Sequence, residues 1–140
     1  MLPPEICPEI WKDIKRLQKK VKRPEIFPDG TVSPEDEIAY FLSHPYLKAI
    51  VTTLQNKLSV GELQQIADKY ARQPYLSNGW VIWKYRYAID KRGKSNGTRT
   101  IFLVQESSML ISFIYLKNDG DDERAVEAEF KSRVENYLNI

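Results

Sequence analysis

The segment from Lys84 to Arg99 holds a dense group of cationic side chains. Six cations accompany one acid, namely Lys84, Arg86, Lys91, Arg92, Lys94 and Arg99 with Asp90. The residue pattern predicts a strand, a polar loop containing glycine and a returning strand, so these cations would converge in an antiparallel hairpin. Cations beside Tyr87 and Tyr115 suit single-stranded nucleic acid, because cations bind phosphates and aromatic rings stack on bases. The alternative interpretation is a solvated sheet edge whose charges prevent aggregation.

Such a cluster contains the groups needed to cleave RNA without a metal. The 2′-OH of RNA can attack the adjacent phosphate if a base, an acid and stabilising cations are present. Lys84 and Lys94 are candidates for the base, because neighbouring cations disfavour a protonated lysine. Arg86 and Arg99 would hold the phosphate through paired hydrogen bonds. Tyr115 would stack on a base or donate a proton, and no metal or cofactor is predicted.

Composition narrows the class of protein further. The chain has 140 residues, 42% of them hydrophobic and 29% charged, which is typical of one globular domain. The single cysteine, Cys7, and the single histidine, His44, argue against a disulfide framework and a metal centre built from these residue types. The first residues lack the basic and apolar regions of a secretory signal, and no apolar stretch is long enough for a bilayer. We therefore expect a cytoplasmic protein with no membrane contact.

Four helices are predicted in the N-terminal half from apolar spacing and capping residues. The first spans 8–23, whose basic face is either solvated or contacts ribosomal RNA or an acidic segment of a partner protein. A second helix starts at Ser33 and ends before Pro45, and a third covers about 46–57. A capping box at Ser59 and Glu62 predicts a fourth helix that continues through Tyr70.

A different periodicity begins at residue 80. Alternating residues predict strands at Trp80–Ile89, Thr98–Gln105 and Met109–Lys117, joined as an antiparallel meander. The apolar spacing of Asp121–Leu138 predicts a closing helix. Trp80 and Trp83 lie on opposite strand faces, so at least one should be in the core. The predicted fold is α+β, with N-terminal helices packed on a small, twisted, three-stranded antiparallel sheet and a C-terminal helix.

Three blocks in this region resemble the RelE/HigB toxins of bacterial type II toxin–antitoxin modules. They are Trp83–Ala88, Arg92–Phe102 and Leu110–Asn118, and Gln73-Pro74 precedes them as the family's Asn-Pro does. The resemblance covers roughly residues 46–138. By position, Lys84 and Arg86 match the basic strand of the family, and Lys94 and Arg99 match its Gly-Lys and x-Arg positions. Tyr115, Lys117 and Asn118 match its Tyr-x-Lys-Asn block.

The resemblance implies a compact fold of the microbial-ribonuclease type, called the RelE fold. It also implies an mRNA interferase that cuts mRNA on the ribosome, inhibits translation and is held inactive by a cognate antitoxin. Residues 46–140 would form the toxin domain and residues 1–45 a helical extension. The candidate catalytic residues are Lys84, Arg86, Lys94, Arg99 and Tyr115, and the candidate RNA-binding residues are Tyr87, Lys91, Arg92, Lys117 and Asn118.

Two alternatives remain open at this point. The chain departs from the family pattern at Trp83, where the family has a cation, and at Phe102, where it has a tyrosine. No counterpart of the family's short first strand is identified. Trp83 in place of a cation, together with the long N-terminal extension, favours a catalytically silent module that binds RNA, ribosomes or protein. A ParE-like inhibitor of DNA gyrase is the other alternative, although the dense basic cluster argues against it.

Overall fold

The computed structural model describes residues 4–10, 12–14, 16, 45–87, 98–116 and 123–140, with the backbone alone at 45–47, 87 and 116. Strand β1 spans Glu5–Ile6, and residues 10, 12–14 and 16 are helical and are called α1. Helix α2 is Pro45–Ser59, β2 is Ala67–Tyr70, β3 is Val81–Tyr87, β4 is Thr98–Gln105, β5 is Ser108–Leu116 and α3 is Glu123–Leu138. Two short 3-10 helices lie at Leu63–Gln65 and Leu76–Asn78. Within these described ranges, no helix has both the length and the apolar character required to cross a membrane.

The sheet corrects the predicted fold. It has five strands in the order β1-β5-β4-β3-β2, with β1 parallel to β5 and the other pairs antiparallel. The fold is α+β, but the predicted RelE-type fold with a three-stranded meander is wrong, because β1 and β2 extend the sheet on both sides. The three strands of the meander and the helices at 46–57 and 121–138 are confirmed within a few residues. The helix predicted from Ser33 lies outside the described residues, as does the second half of the helix predicted at 8–23.

Strand β2 replaces the fourth predicted helix. Helix α2 ends at Ser59, whose hydroxyl donates to the Asn56 carbonyl at 2.8 Å, and the chain turns through Gly61 at φ +72°. Glu62 makes no side-chain cap, so the predicted capping box does not form. The chain then pairs with β3 from Ala67↔Tyr85 to Tyr70↔Ile82. These cross-strand hydrogen bonds outweigh the local helical pattern, which is a weak determinant in so short a segment.

Strand β1 has two residues, too few for alternation to be visible in the sequence. Its position is set by distant partners: Glu5 pairs with Leu110, and the backbone amide of Cys7 donates to the Ile111 carbonyl at 2.9 Å. Cys7 is fully buried, and burial, helped by the charge of Glu9, raises the pKa of its thiol to about 12. A thiol with this pKa is mostly protonated at neutral pH and is a poor nucleophile.

Each face of the sheet supports its own apolar cluster. Helices α1 and α2 cover one face, which we call the α1/α2 face, and α3 covers the other, the α3 face. Buried residues of the α1/α2 face include Ile10, Ile14, Ile50, Leu54, Trp83, Tyr85, Phe102 and Ile111. Those of the α3 face include Trp80, Ile82, Ile101, Leu103, Phe113, Tyr115, Val126, Phe130 and Val134. Both Trp80 and Trp83 are buried, one on each face, so the expectation of at least one core tryptophan is confirmed.

A buried ion pair joins α1, β5 and α3. Arg133 donates to both carboxylate oxygens of Asp13 at 2.7 Å, and the Ile114 amide donates to the same carboxylate at 2.9 Å. Burial alone would lower the pKa of Arg133, but its hydrogen bonds to Asp13 raise the pKa above the ordinary value. The guanidinium also lies 4.1 Å from the centre of the Phe113 ring. This pair fixes the two helices against the strand that carries Tyr115.

Candidate nucleic-acid interface

Three predicted site residues lie side by side across three strands. Arg86 on β3 pairs directly with Arg99 on β4, and Arg99 pairs with Tyr115 on β5. We call this group, Arg86, Arg99 and Tyr115, the basic row. Opposite residues of antiparallel strands have Cβ atoms about 5 Å apart, so the Arg86 and Arg99 side chains leave the sheet next to each other. The row lies on the α3 face, because Arg99 and Tyr115 alternate in step with the buried Ile101 and Phe113 of that face.

Exposure decreases along the basic row. The Arg86 side chain is 54% exposed, whereas Arg99 is 5% and Tyr115 is 1% exposed. The Tyr115 ring meets the Phe113 ring edge-on at a centroid distance of 5.7 Å. Tyr115 is therefore a core residue beside Arg99, and in this structure its ring face is not available to a base from solvent.

The surroundings of Arg99 make its positive charge unfavourable in the folded protein. Burial is the main cause that lowers its pKa, and the charge of Arg86 lowers it further. Tyr115, Glu123 at the start of α3 and Asp68 on β2 oppose this effect without cancelling it. An arginine stays charged in proteins, so the lowered pKa means that the folded structure maintains this cation at a cost in free energy.

Arg86 and Lys84 contact the neighbouring strand β2. Arg86 forms an ion pair with Asp68 at 3.3 Å. Lys84 pairs with Asp68 in the sheet register, and its ammonium lies 5.3 Å from the centre of the Tyr70 ring. Lys84 and Arg86 are two residues apart and so project from the same face. The cationic surface of the row therefore continues towards β2 through Lys84.

A small cavity opens beside this surface, between β2, β3, β4 and α3. Its volume is about 40 Å³, and its lining residues are Tyr70, Arg72, Ile82, Lys84, Ile101, Glu127 and Phe130. Arg72 and Glu127 form an ion pair at its rim. Lys84 and Ile101 line the cavity and lie two residues from Arg86 and Arg99 on the same face of the sheet, so the cavity and the basic row are neighbours.

The two departures from the family pattern lie elsewhere. Trp83 and Phe102 pair across β3 and β4, and their rings stack with centroids 6.4 Å apart. Both belong to the α1/α2 face, on the opposite side of the sheet from the basic row. Neither substitution therefore removes a group from the candidate site. The departures reflect packing of the core under α1 and α2.

Several predicted site residues have side chains outside the described part of the chain. Lys91, Arg92, Lys94, Lys117 and Asn118 lie outside the described residues. The backbone of Tyr87 pairs with Thr98, and its side chain is likewise outside the described part of the chain. The roles predicted for these residues stay predictions.

Sequence reasoning missed Asp68, Tyr70 and Arg72 as members of the same surface. All three were assigned to the end of a predicted helix or the segment after it, which hid their relation to Lys84 and Arg86. The alternation of Asp68, Tyr70 and Arg72 at a spacing of two residues is a signal of a strand, but its span is short.

Neither protein-family models nor curated proteins nor solved structures give a match to this chain. The resemblance to RelE/HigB toxins therefore depends on the residue blocks described above.

Proposed function

We propose that this chain is the toxin of a toxin–antitoxin system, a metal-independent endoribonuclease that cuts ribosome-bound mRNA and so inhibits translation in the cytoplasm. A cognate antitoxin would hold it inactive. Two observations support the proposal: the ordered resemblance of three sequence blocks, and the grouping of Lys84, Arg86 and Arg99 on one face of the sheet.

The observation that carries the proposal is the direct opposition of Arg86 and Arg99. Like charges opposite each other destabilise a sheet, and the burial of Arg99 adds to that cost. A bound phosphate would remove the repulsion, because it accepts hydrogen bonds from both guanidinium groups. Groups held at a cost in the free protein are typical of functional sites.

In the proposed reaction, Arg86 and Arg99 hold the scissile phosphate and stabilise the charge that develops on it. Lys84 lies on the same face and is the described candidate for the base that takes the proton from the 2′-OH. The attacking 2′-oxygen forms a bond to phosphorus, the bond between phosphorus and the 5′-oxygen breaks, and a water molecule donates a proton to that leaving oxygen. Lys94 stays a second candidate for the base, as the sequence predicts.

Cleavage during in vitro translation tests the proposal. We expect Arg86→Gln and Arg99→Lys to reduce cleavage roughly 100-fold, because each loses paired donors to the phosphate. Lys48→Gln, which changes an exposed lysine on α2, is the matched control and should cleave as wild type does. Circular dichroism verifies that the variants fold. Cleavage by both arginine variants at the wild-type rate would exclude the basic row as the site.

A second candidate function is a silent module that binds RNA without cutting it. The burial of Tyr115 favours this candidate, because a buried phenol cannot reach a leaving oxygen without a conformational change. Ribosome binding with no cleavage, and with binding reduced in Arg86→Gln, would support it. An SOS response with intact mRNA would instead favour gyrase inhibition.

A further inference from the structure

We propose that the cavity lined by Tyr70 and Lys84 is a subsite for the nucleobase that neighbours the phosphate held by the basic row. The inference depends on the proposed function to the extent that the chain must bind RNA, whether or not it cuts it. It goes beyond that function by assigning base contacts to β2 and α3, which contain none of the predicted site residues.

The walls of the cavity suit a flat, largely apolar ring with a polar edge. Ile82, Ile101 and Phe130 supply apolar surface from β3, β4 and α3. Tyr70 adds an aromatic ring on the edge strand, and this residue is 37% exposed. Unstacked bases of single-stranded RNA bind on such rings.

The distance between the cavity and the basic row fits one nucleotide. Lys84 precedes Arg86 by two residues on β3, and Ile101 follows Arg99 by two residues on β4. Two residues of a strand span about 6.6 Å, which is therefore the distance along each strand from the basic row to the cavity wall. A phosphate between Arg86 and Arg99 therefore lies within one nucleotide of the cavity. Lys84 lies between the two and can contact the sugar–phosphate chain from either side.

The ammonium of Lys84 lies over the Tyr70 ring, where a base would stack. A cation–π contact at a partly exposed site is weak, so a bound phosphate can draw the ammonium away from the ring. The ring face then becomes available to the base. Phosphate and base would thus bind together, since each favours the same position of Lys84.

The rim of the cavity supplies hydrogen-bonding groups for the edge of the base. Glu127 can accept from an amino or imino group of the base, and Arg72 can donate to a ring nitrogen or carbonyl oxygen. A volume of about 40 Å³ holds about three water-sized groups. The cavity therefore admits one edge of a base, and the rest of the ring lies against Tyr70.

Binding of a 2′-O-methyl RNA hexanucleotide, which cannot be cleaved by its own hydroxyl, tests the subsite by fluorescence anisotropy. Removing a stacking ring costs roughly a 5- to 100-fold loss of affinity, so Tyr70→Ala should lose affinity in that range. Tyr70→Phe should retain it. Tyr137→Ala is the matched control, because Tyr137 is 39% exposed at the far end of α3.

A series of hexanucleotides with one abasic position each identifies the base that occupies the subsite. At that position the abasic change should weaken wild type by the same factor as Tyr70→Ala, and should not weaken Tyr70→Ala further. Tyr70→Thr, which retains a β-branched residue on the edge strand, should behave as Tyr70→Ala does if the loss is due to stacking and not to misfolding.

The outcomes separate this inference from the proposed function. If Tyr70→Ala and Tyr70→Thr bind as Tyr137→Ala does while Arg86→Gln binds weakly, the row binds RNA and the base subsite is wrong. If the hexanucleotide does not bind to wild type, or binds equally to Arg86→Gln, the base subsite is wrong, and cleavage during in vitro translation decides the proposed function separately.

Discussion

The two faces of the sheet are built from the same strands but have different compositions. On β3 the α1/α2 face receives Trp83 and Tyr85, which are both buried, whereas the α3 face receives Ile82, Lys84 and Arg86. The α1/α2 face carries no charged side chain on the described part of β3 and β4, where Thr98 and Thr100 are its buried polar residues. The α3 face is apolar under α3 and becomes cationic beyond it. Both faces therefore stabilise the fold, but the α3 face also carries cations, of which Arg86 is half exposed and Arg99 is buried.

The largest expected loss of stability comes from breaking the ion pair between Asp13 and Arg133, which connects α1 on one face of the sheet with α3 on the other. Asp13→Ala leaves Arg133 buried without this carboxylate, and the loss of one partner of a buried ion pair costs about 3–5 kcal/mol. We expect a loss of this size in the free energy of unfolding, measured by urea denaturation. The double variant Asp13→Leu/Arg133→Met should recover much of the loss. A change under about 1 kcal/mol in Asp13→Ala would contradict the role assigned to this pair.

The second prediction concerns the α1/α2 face. Phe102 is fully buried there, so Phe102→Ala should lower the free energy of unfolding by about 3–4 kcal/mol through lost burial and a new cavity. RNA affinity of the folded fraction should stay unchanged, because Phe102 points away from the basic row. Urea denaturation and anisotropy at low temperature measure the two quantities. A specific loss of RNA affinity would show that the faces are not separable in this way.

The third prediction concerns a substitution that should not lower the free energy of unfolding. Arg99→Met removes the repulsion with Arg86 and leaves a flexible apolar side chain in a buried position. We expect the free energy of unfolding to stay the same or to rise by about 1 kcal/mol, while RNA binding and cleavage are lost. Thermal denaturation with a cleavage assay measures both. A loss of stability above about 2 kcal/mol would mean that Arg99 belongs to the core as Phe102 does.

The fourth prediction distinguishes the charged part of the α3 face from its apolar part. Inorganic phosphate that binds between Arg86 and Arg99 stabilises the folded state by an amount that grows with the logarithm of its concentration. At ten times its dissociation constant, the gain is about 1.4 kcal/mol. Thermal denaturation should show a rise in melting temperature for wild type and none for Arg99→Met. Chloride at equal ionic strength is the control, and an equal rise in both proteins would point to a general salt effect.

Periodicity made part of this arrangement predictable. Strand β3 alternates over seven residues, β4 and β5 contain short apolar runs bounded by polar turns, and α2 and α3 have apolar stripes, so these elements are visible in the sequence. The hairpin then requires Arg86 and Arg99 to lie on neighbouring strands. Strands β1 and β2 have two and four residues; β1 pairs with β5 near the other end of the chain, and β2 pairs with β3 across an intervening 3-10 helix. No local pattern specifies such pairings, because distant backbone groups supply their hydrogen bonds.

The contrast between long and short strands also explains which residues of the candidate site could be predicted from the sequence. Lys84, Arg86 and Arg99 lie on strands with a visible pattern, so their grouping follows from the sequence. Tyr70 and Arg72 join them only through the pairing of β2 with β3, which local spacing does not reveal. The burial of Tyr115 also depends on the packing of α3 and Phe113, and neither contact can be read from the spacing of residues along β5.

The ion pair between Asp13 and Arg133 also bears on how the chain folds during its synthesis. Its partners are 120 positions apart, so this ion pair cannot form until translation has passed Arg133. Until then the growing chain has Asp13 without its guanidinium partner. A nascent chain should therefore stay incompletely folded while its own ribosome is still synthesising it.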